Sequence, residues 1–211
     1  MRYVKILISS LGAGILIALG GFVFLSYKET NLFLASFLFS LGLLTVIGFK
    51  LYLFTGKIGY AFEGGLRGII DLIICWIGNF IGALSTGYLL RLTRADLQET
   101  VEKVVETKLN DNLGSIFVLS LFCGMMIYIA VEFQKRELPG SFKLLAIILP
   151  VMVFIISGFE HCVANMFYIS YASMWSWKAF GYIMMMTLGN GVGSIILWGI
   201  NKVLKIERRE I

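Results

Sequence analysis

Six stretches of mostly apolar residues alternate with short charged ones along the chain. A membrane-spanning helix needs roughly 20 such residues. The stretches run from Val4 to about Tyr27, Leu32 to Phe54, about Leu66 to Leu90, Leu113 to Phe133, Phe142 to about Tyr171 and Phe180 to about Leu204. The fifth is too long for one simple crossing. Between the third and fourth, Leu97, Val101, Val104, Val105 and Leu109 recur at helical spacing with charges among them. That spacing predicts a short amphipathic helix, lying on the membrane surface or over a pore mouth. The first stretch has a charged start and an apolar run, as a signal peptide does. It has no clear small-x-small cleavage site before Lys28, so a retained helix is expected.

Composition agrees with a membrane protein. Of 211 residues, 58% are hydrophobic and 15% charged, against about a quarter charged in a soluble domain. Cys75, Cys123 and Cys162 all lie in apolar runs without CxxC spacing, which argues against a disulfide framework or a zinc module. A single histidine excludes an all-histidine metal site within one chain. There is no Walker A or HExxH motif, so neither metal nor cofactor is expected. The net charge of +5 sits in the interhelical stretches and reads as topology, with no nucleic-acid partner. With six spans, Arg2, Lys5, Arg67, Lys135, Arg136, Lys143, Lys202, Lys205, Arg208 and Arg209 share the side of the termini. Lys28, Arg91, Arg94, Lys103, Lys108 and Lys178 take the other. That imbalance places both termini in the cytoplasm. Lys50 and Lys57, in or beside the second span, count for neither side.

Two local patterns recur. Gly78-Asn79-Phe80-Ile81-Gly82 in the third span matches Gly189-Asn190-Gly191-Val192-Gly193 in the sixth. The second span ends in Leu53-Phe54-Thr55-Gly56-Lys57, and the fifth contains Ile156-Ser157-Gly158-Phe159-Glu160-His161. Each places a hydroxyl residue beside a glycine. Two three-span halves of odd count imply an inverted repeat, with paired helix interruptions marking a substrate path. The expected architecture is an all-α polytopic membrane protein, one domain over 1–211. Repeat one is at about 1–92, an amphipathic connector at about 93–111 and repeat two at about 112–211. The breaks are expected near Thr55 and Ser157. Close packing by small residues accounts for the glycines equally well, but not for the asparagine beside each.

His161 is the strongest single candidate for chemistry, since ionisable side chains inside a membrane usually face a cavity or a partner. The alternative is a neutral ring bonded to a carbonyl or to Asn165. Glu160 would cost about 3 kcal/mol as a charge on a lipid-facing helix centre. It is expected to be bonded, as structural glue accepting N–H groups freed by the break, or to handle protons. Asn79, Asn165 and Asn190 read as helix–helix bonds or as pore lining. Lys108 is either a snorkelling lysine or a charge that concentrates anions at a mouth. Phe54 and Phe159 are packing residues or a hydrophobic gate.

Gly158-Phe159-Glu160-His161-Cys162-Val163-Ala164-Asn165-Met166 resembles the G-[FL]-E-H-x-x-A-N-M signature of the formate/nitrite transporter family. Leu53-Phe54-Thr55-Gly56 is similar to that family's LFTG loop, and the two Gly-Asn pairs match as well. The resemblance covers essentially the whole chain. It implies an aquaporin-like protomer in a homopentamer, with one pore per protomer. Thr55 would be the threonine of the helix-two loop, Lys108 the periplasmic vestibule lysine and His161 the central histidine. Leu53, Phe54 and Phe159 would supply the hydrophobic constrictions. Departures are Lys57, where members often have asparagine or serine, Tyr52, which replaces an acid, and Gly124, where helix four often has asparagine. The chain starts directly on its first span, without the amphipathic helix common in the family. The compact length and the LFTGK variant are nearest to the hydrosulfide channels.

The expected function is therefore passage of small monovalent anions of weak acids (hydrosulfide, formate or nitrite) across the inner, cytoplasmic membrane. An aquaporin-like facilitator of neutral solutes is the alternative, though the twin Asn-Pro-Ala loops are missing. A membrane-embedded enzyme would need a second catalytic cluster, and none is visible. A non-conducting membrane subunit is the remaining rival.

Overall fold

A computed structural model describes residues 1–207, and these are helical apart from turns and short connections. In chain order the elements are α1 (Arg2–Tyr27), α2 (Leu32–Gly48), α3 (Phe54–Lys57), a 3-10 segment (Ile58–Glu63), α4 (Gly65–Leu90), α5 (Gln98–Leu109), α6 (Leu113–Gln134), α7 (Gly140–Ile156), α8 (Cys162–Ala172) and α9 (Trp177–Glu207). Among the described residues four helices, α1, α4, α6 and α9, are long and apolar enough to cross a membrane. The second and fifth apolar stretches divide instead, into α2 with α3 and α7 with α8. Both α2 and α7 have 17 residues, about 26 Å at 1.5 Å per residue and so slightly short of the hydrocarbon thickness. Arg208 and Arg209, used above for the charge count, lie outside the described residues, as does the end of the second repeat.

Both broken helices stop in the same way. Gly158 takes a left-handed φ of 68°, and Lys50 takes one of 55°. Around each, one N–H reaches back three residues and the next reaches back five: Lys50 to Ile47 and Leu51 to Val46, Gly158 to Ile155 and Phe159 to Phe154. That pair of bonds closes a helix through a left-handed residue. The first break therefore begins at Phe49, ahead of the expected Thr55-Gly56. Thr55 and Gly56 belong to the helical turn of α3. Gly56 serves proximity there, because an added Cβ would come within 3.3 Å of Val131 Cγ2. A lysine seldom adopts φ > 0, so the residue that ends α2 gives no glycine signal.

The long helices pair through glycine. In α4, a Cβ at Gly78 or Gly82 would strike the backbone of α1 at Leu7 or Leu11; in α9, Gly189 and Gly193 meet Phe117 and Leu121 of α6 in the same way. A side chain at Gly124 would meet the Asn190 carbonyl, as one at Gly14 would meet that of Asn79. Changing Gly193 to alanine is expected to separate α6 from α9. Overpacking of this kind costs about 1–3 kcal/mol, read as a lower unfolding temperature of the detergent-solubilised protein. An unchanged transition would show that the two backbones do not need to touch.

Between the pairs lies α8, every residue of which is buried. This explains the length of the fifth stretch: its second part is core. The connector helix α5 buries Val101, Val105 and Leu109 and packs on α8, so of its two expected positions it occupies the one over a mouth.

Candidate functional site

Each break frees backbone groups, which a membrane-spanning chain has to satisfy from within the protein or from a water-filled cavity. The two Gly-Asn asparagines satisfy them. Asn190 Oδ1 accepts from the Cys162 N–H at 2.9 Å, and its Nδ2 donates to the carbonyls of Glu160 and Ser120, both at 2.8 Å. Asn79 Oδ1 accepts from the Phe54 N–H at 2.8 Å, while its Nδ2 donates to the Tyr52 carbonyl at 3.0 Å and the Ser10 carbonyl at 2.7 Å. The glycine beside each lets the neighbouring helix come close enough for the amide to reach across. Both asparagines are fully buried, and their bonds go to backbone apart from one that Asn79 Oδ1 accepts from the Cys75 thiol at 3.9 Å.

These ties bring the starts of α3 and α8 together. His161 is the N-cap of α8: its Nδ1 accepts from the Ala164 N–H at 3.1 Å. An acceptor Nδ1 leaves the ring proton on Nε2. Nε2 lies 2.9 Å from Thr55 Oγ1, so the ring donates and the hydroxyl accepts, while Thr55 keeps its own O–H to donate onward. The His161 ring is thus bonded to a backbone N–H and to Thr55, and Asn165 reaches His161 through its backbone carbonyl alone. Phe154 stacks on the imidazole with centroids 5.9 Å apart.

A cavity of about 510 Å³ reaches His161 from the side of α5, where Lys28, Lys103 and Lys108 line it. A second, of about 360 Å³, reaches Leu53 and Gly56 and is lined by Lys50, Lys57 and Lys135. Leu119 of α6 lines the first cavity and Val131 the second. That separation along the helix is about 18 Å, so the two open at opposite ends. Thr55 and Phe54 line neither and are buried between them.

Lys108 is held by an acid. Its Nζ lies 2.8 Å and 2.7 Å from the two Glu160 oxygens, and Asn165 Nδ2 donates to Glu160 Oε2 at 2.8 Å and to the His161 carbonyl at 2.9 Å. Glu160 therefore accepts side-chain donors, where N–H groups of the broken helix were expected. The lining of this mouth carries the carboxylates Glu29, Asp111 and Glu160 against its three lysines. The bond from Lys28, at 3.0 Å, holds the Glu29 carboxyl below the usual carboxylate range, and Glu99 raises Lys103 above its ordinary value. Each shift favours the charged form of the group that carries it, Glu29 and Lys103.

Of the residues picked from sequence, His161 and Thr55 touch, and Lys108, Glu160 and Asn165 form one network beside them. Phe159 is half-buried on the first cavity, stacked on Phe122 at 5.5 Å. Leu53 lies at the second cavity. Phe154, in contact with His161, carries no sequence signal that separates it from the other aromatics of its apolar run. Lys50 and Lys57 were set aside in the charge count, and they share a cavity with Lys135.

Two cavities at opposite ends of a helical bundle, with the buried His161–Thr55 pair between them, are an arrangement suited to a transport protein. The formate/nitrite transporter family model matches residues 1–204, and the chain belongs to that family; it is a transporter and not an enzyme. It is 29% identical to the uncharacterized transporter YrhG of Bacillus subtilis over 189 residues, covering 82% of this chain and 71% of that one. It is 28% identical to the formate channel FocA of Haemophilus influenzae over 182 residues, covering 76% of this chain and 64% of the channel. Two solved structures share the fold at 22% identity. A pentameric formate channel with formate bound has a TM-score of 0.81 over 97% of this chain and 98% of its own, and a family ion channel has 0.87 over 96% and 90%.

Proposed function

We propose that this protein is a channel for the small monovalent anions of weak acids, formate, nitrite or hydrosulfide, in the inner membrane. In this reading there are six spans in two inverted halves, both termini are cytoplasmic and five copies assemble. The matched breaks at Lys50 and Gly158 and the matched asparagine ties support two equivalent halves. The observation that carries the function is the bond between His161 and Thr55, which joins the two broken helices between the two cavities. Lys50 and Lys57 share a cavity with Lys135 and so join the basic residues on the side of the termini.

A bare anion pays a large desolvation cost in an apolar neck. Lys108 guides it at one mouth. Leu53, Phe54 and Phe159 form the apolar walls, and Thr55 O–H and His161 Nε2–H replace part of its water. Full transfer of the Nε2 proton would leave an imidazolate. His161 therefore acts as a hydrogen-bond donor, and any neutral acid that crosses takes its proton from solvent.

His161→Asn tests this. Asparagine is a strong N-cap, so it keeps the Ala164 bond and the fold while losing the reach to Thr55. A hydrogen bond to a charged group contributes about 1.5–3 kcal/mol, so anion flux into liposomes should fall roughly ten- to hundredfold. The comparison covers formate, nitrite and hydrosulfide from about pH 5 to 8, the span of an unperturbed histidine. If the variant keeps the wild-type rate, selectivity and pH profile, His161 is a capping residue only.

A further inference from the structure

Asn79 and Asn190 set the starts of α3 and α8, and they stand on different helices. The gap between Thr55 and His161 therefore depends on how far α4 lies from α9. Glycine contacts fix α4 against α1 and α9 against α6, and α8 packs on both α4 and α9. None of these contacts ties α4 to α9 directly.

One bond does. Trp76 Nε1 donates to Thr187 Oγ1 at 3.0 Å, and among the described residues it is the one side-chain hydrogen bond from α4 to α9. Trp76 precedes Asn79 by three residues, and Thr187 precedes Asn190 by three. Each such pair lies on one helix face, a turn apart. The bond thus joins equivalent positions of the two halves, within a turn of both asparagine ties.

Both partners are held in place. Thr187 donates its own O–H to the Ile183 carbonyl at 2.8 Å, and its hydroxyl lies beside the thiol of Cys162, the residue after His161. The Trp76 ring stacks on Phe80 with centroids 5.6 Å apart, and Phe80 meets Trp175 edge-on at 5.3 Å. Trp175 in turn donates to Ser170 Oγ at 3.0 Å, near the end of α8. A tryptophan has only two side-chain torsions, so an indole packed in this way holds a spacing that a long flexible side chain would not.

We propose that Trp76 and Thr187 are positioning residues for the neck: their bond fixes the spacing of α4 and α9, and with it the separation of Thr55 and His161 that sets which acid anions pass. The inference rests on the channel reading above and adds to it a determinant of size selectivity. Neither residue lines either cavity, so an effect on selectivity has to travel through the two breaks.

Trp76→Phe keeps a ring against Phe80 and loses the donor; Thr187→Val keeps the shape and loses the acceptor. The test compares initial uptake of acetate and formate into liposomes. Each variant should raise the ratio of acetate to formate about three- to tenfold, the range that the net contribution of one hydrogen bond spans. Thr187→Ser keeps the hydroxyl and should keep the wild-type ratio. The double variant should add little to either single one, since both remove the same bond. Damage to the fold alone would lower both fluxes together. A ratio unchanged in both single variants, or changed as much by Thr187→Ser, overturns the proposal.

A readout independent of flux separates this from failure of the channel reading. His161 is the one histidine of the chain, so a ¹⁵N-histidine label gives a single ring to follow by solid-state NMR in lipid. Trp76→Phe and Thr187→Val should each shift Nε2, which faces Thr55, and leave Nδ1, which is bonded to Ala164 of the same helix. Trp175→Phe, at the far end of the stack, should leave both. If the wild type passes no anion, the channel reading fails while a shifted Nε2 still supports the strut. An Nε2 resonance that neither variant moves removes it.

Discussion

Asn190→Ala is expected to abolish the folded protein, seen as loss of monodisperse material in detergent and of a cooperative thermal transition. The fully buried side chain makes three bonds to backbone. Each buried group left without a partner costs about 1–3 kcal/mol, so the sum is comparable to the whole stability of an ordinary domain, about 5–15 kcal/mol. Asn79→Ala removes the equivalent three bonds and should fail equally. Asn190→Asp keeps an acceptor for the Cys162 N–H but loses both donors and adds a buried charge, so it is no rescue. If either alanine variant melts as wild type does, the breaks are stabilised by something other than these amides.

The second large effect concerns Lys108. A lysine that served only as a charge at a mouth could be removed without loss of fold. Here its ammonium is bidentate on Glu160, whose side chain is 5% exposed. Lys108→Ala leaves that carboxylate buried without its countercharge, with the Asn165 amide still donating to it, and removing one partner of a buried pair costs about 3–5 kcal/mol. The single variant is therefore expected to unfold well below the wild type. Lys108→Met combined with Glu160→Gln removes both charges while keeping the volume, and should recover most of the loss. Wild type, Lys108→Met, Glu160→Gln and their combination form a double-mutant cycle read by thermal denaturation. Single and double variants of equal stability would make Lys108 an ordinary snorkelling lysine.

Much of the architecture was legible because the membrane imposes long apolar runs, and the fifth run betrayed its break by its length. The signature around His161 led directly to the centre of the site. Contacts between distant residues were not legible. Nothing in the local pattern of Lys108 or Glu160 shows that α5 folds over the mouth and sets them in contact. The Gly-Asn pairs were visible as a repeat, but their purpose depends on the two glycines letting α4 and α9 approach α1 and α6. The first break was misplaced because Lys50 adopts a conformation that sequence reading assigns to glycine. That same misreading kept Lys50 and Lys57 out of the charge count.

The asparagine that completes each break lies on the next long helix: Asn79 of α4 follows α3, and Asn190 of α9 follows α8. During synthesis the chain therefore carries an incomplete turn until a later segment leaves the ribosome. α8 is covered on all sides in the finished bundle and has no face of its own to offer lipid. Its start gains the Asn190 acceptor only when α9 arrives. A nascent chain halted before Asn190 would hold the signature histidine on a helix start whose Cys162 N–H still lacks its side-chain acceptor.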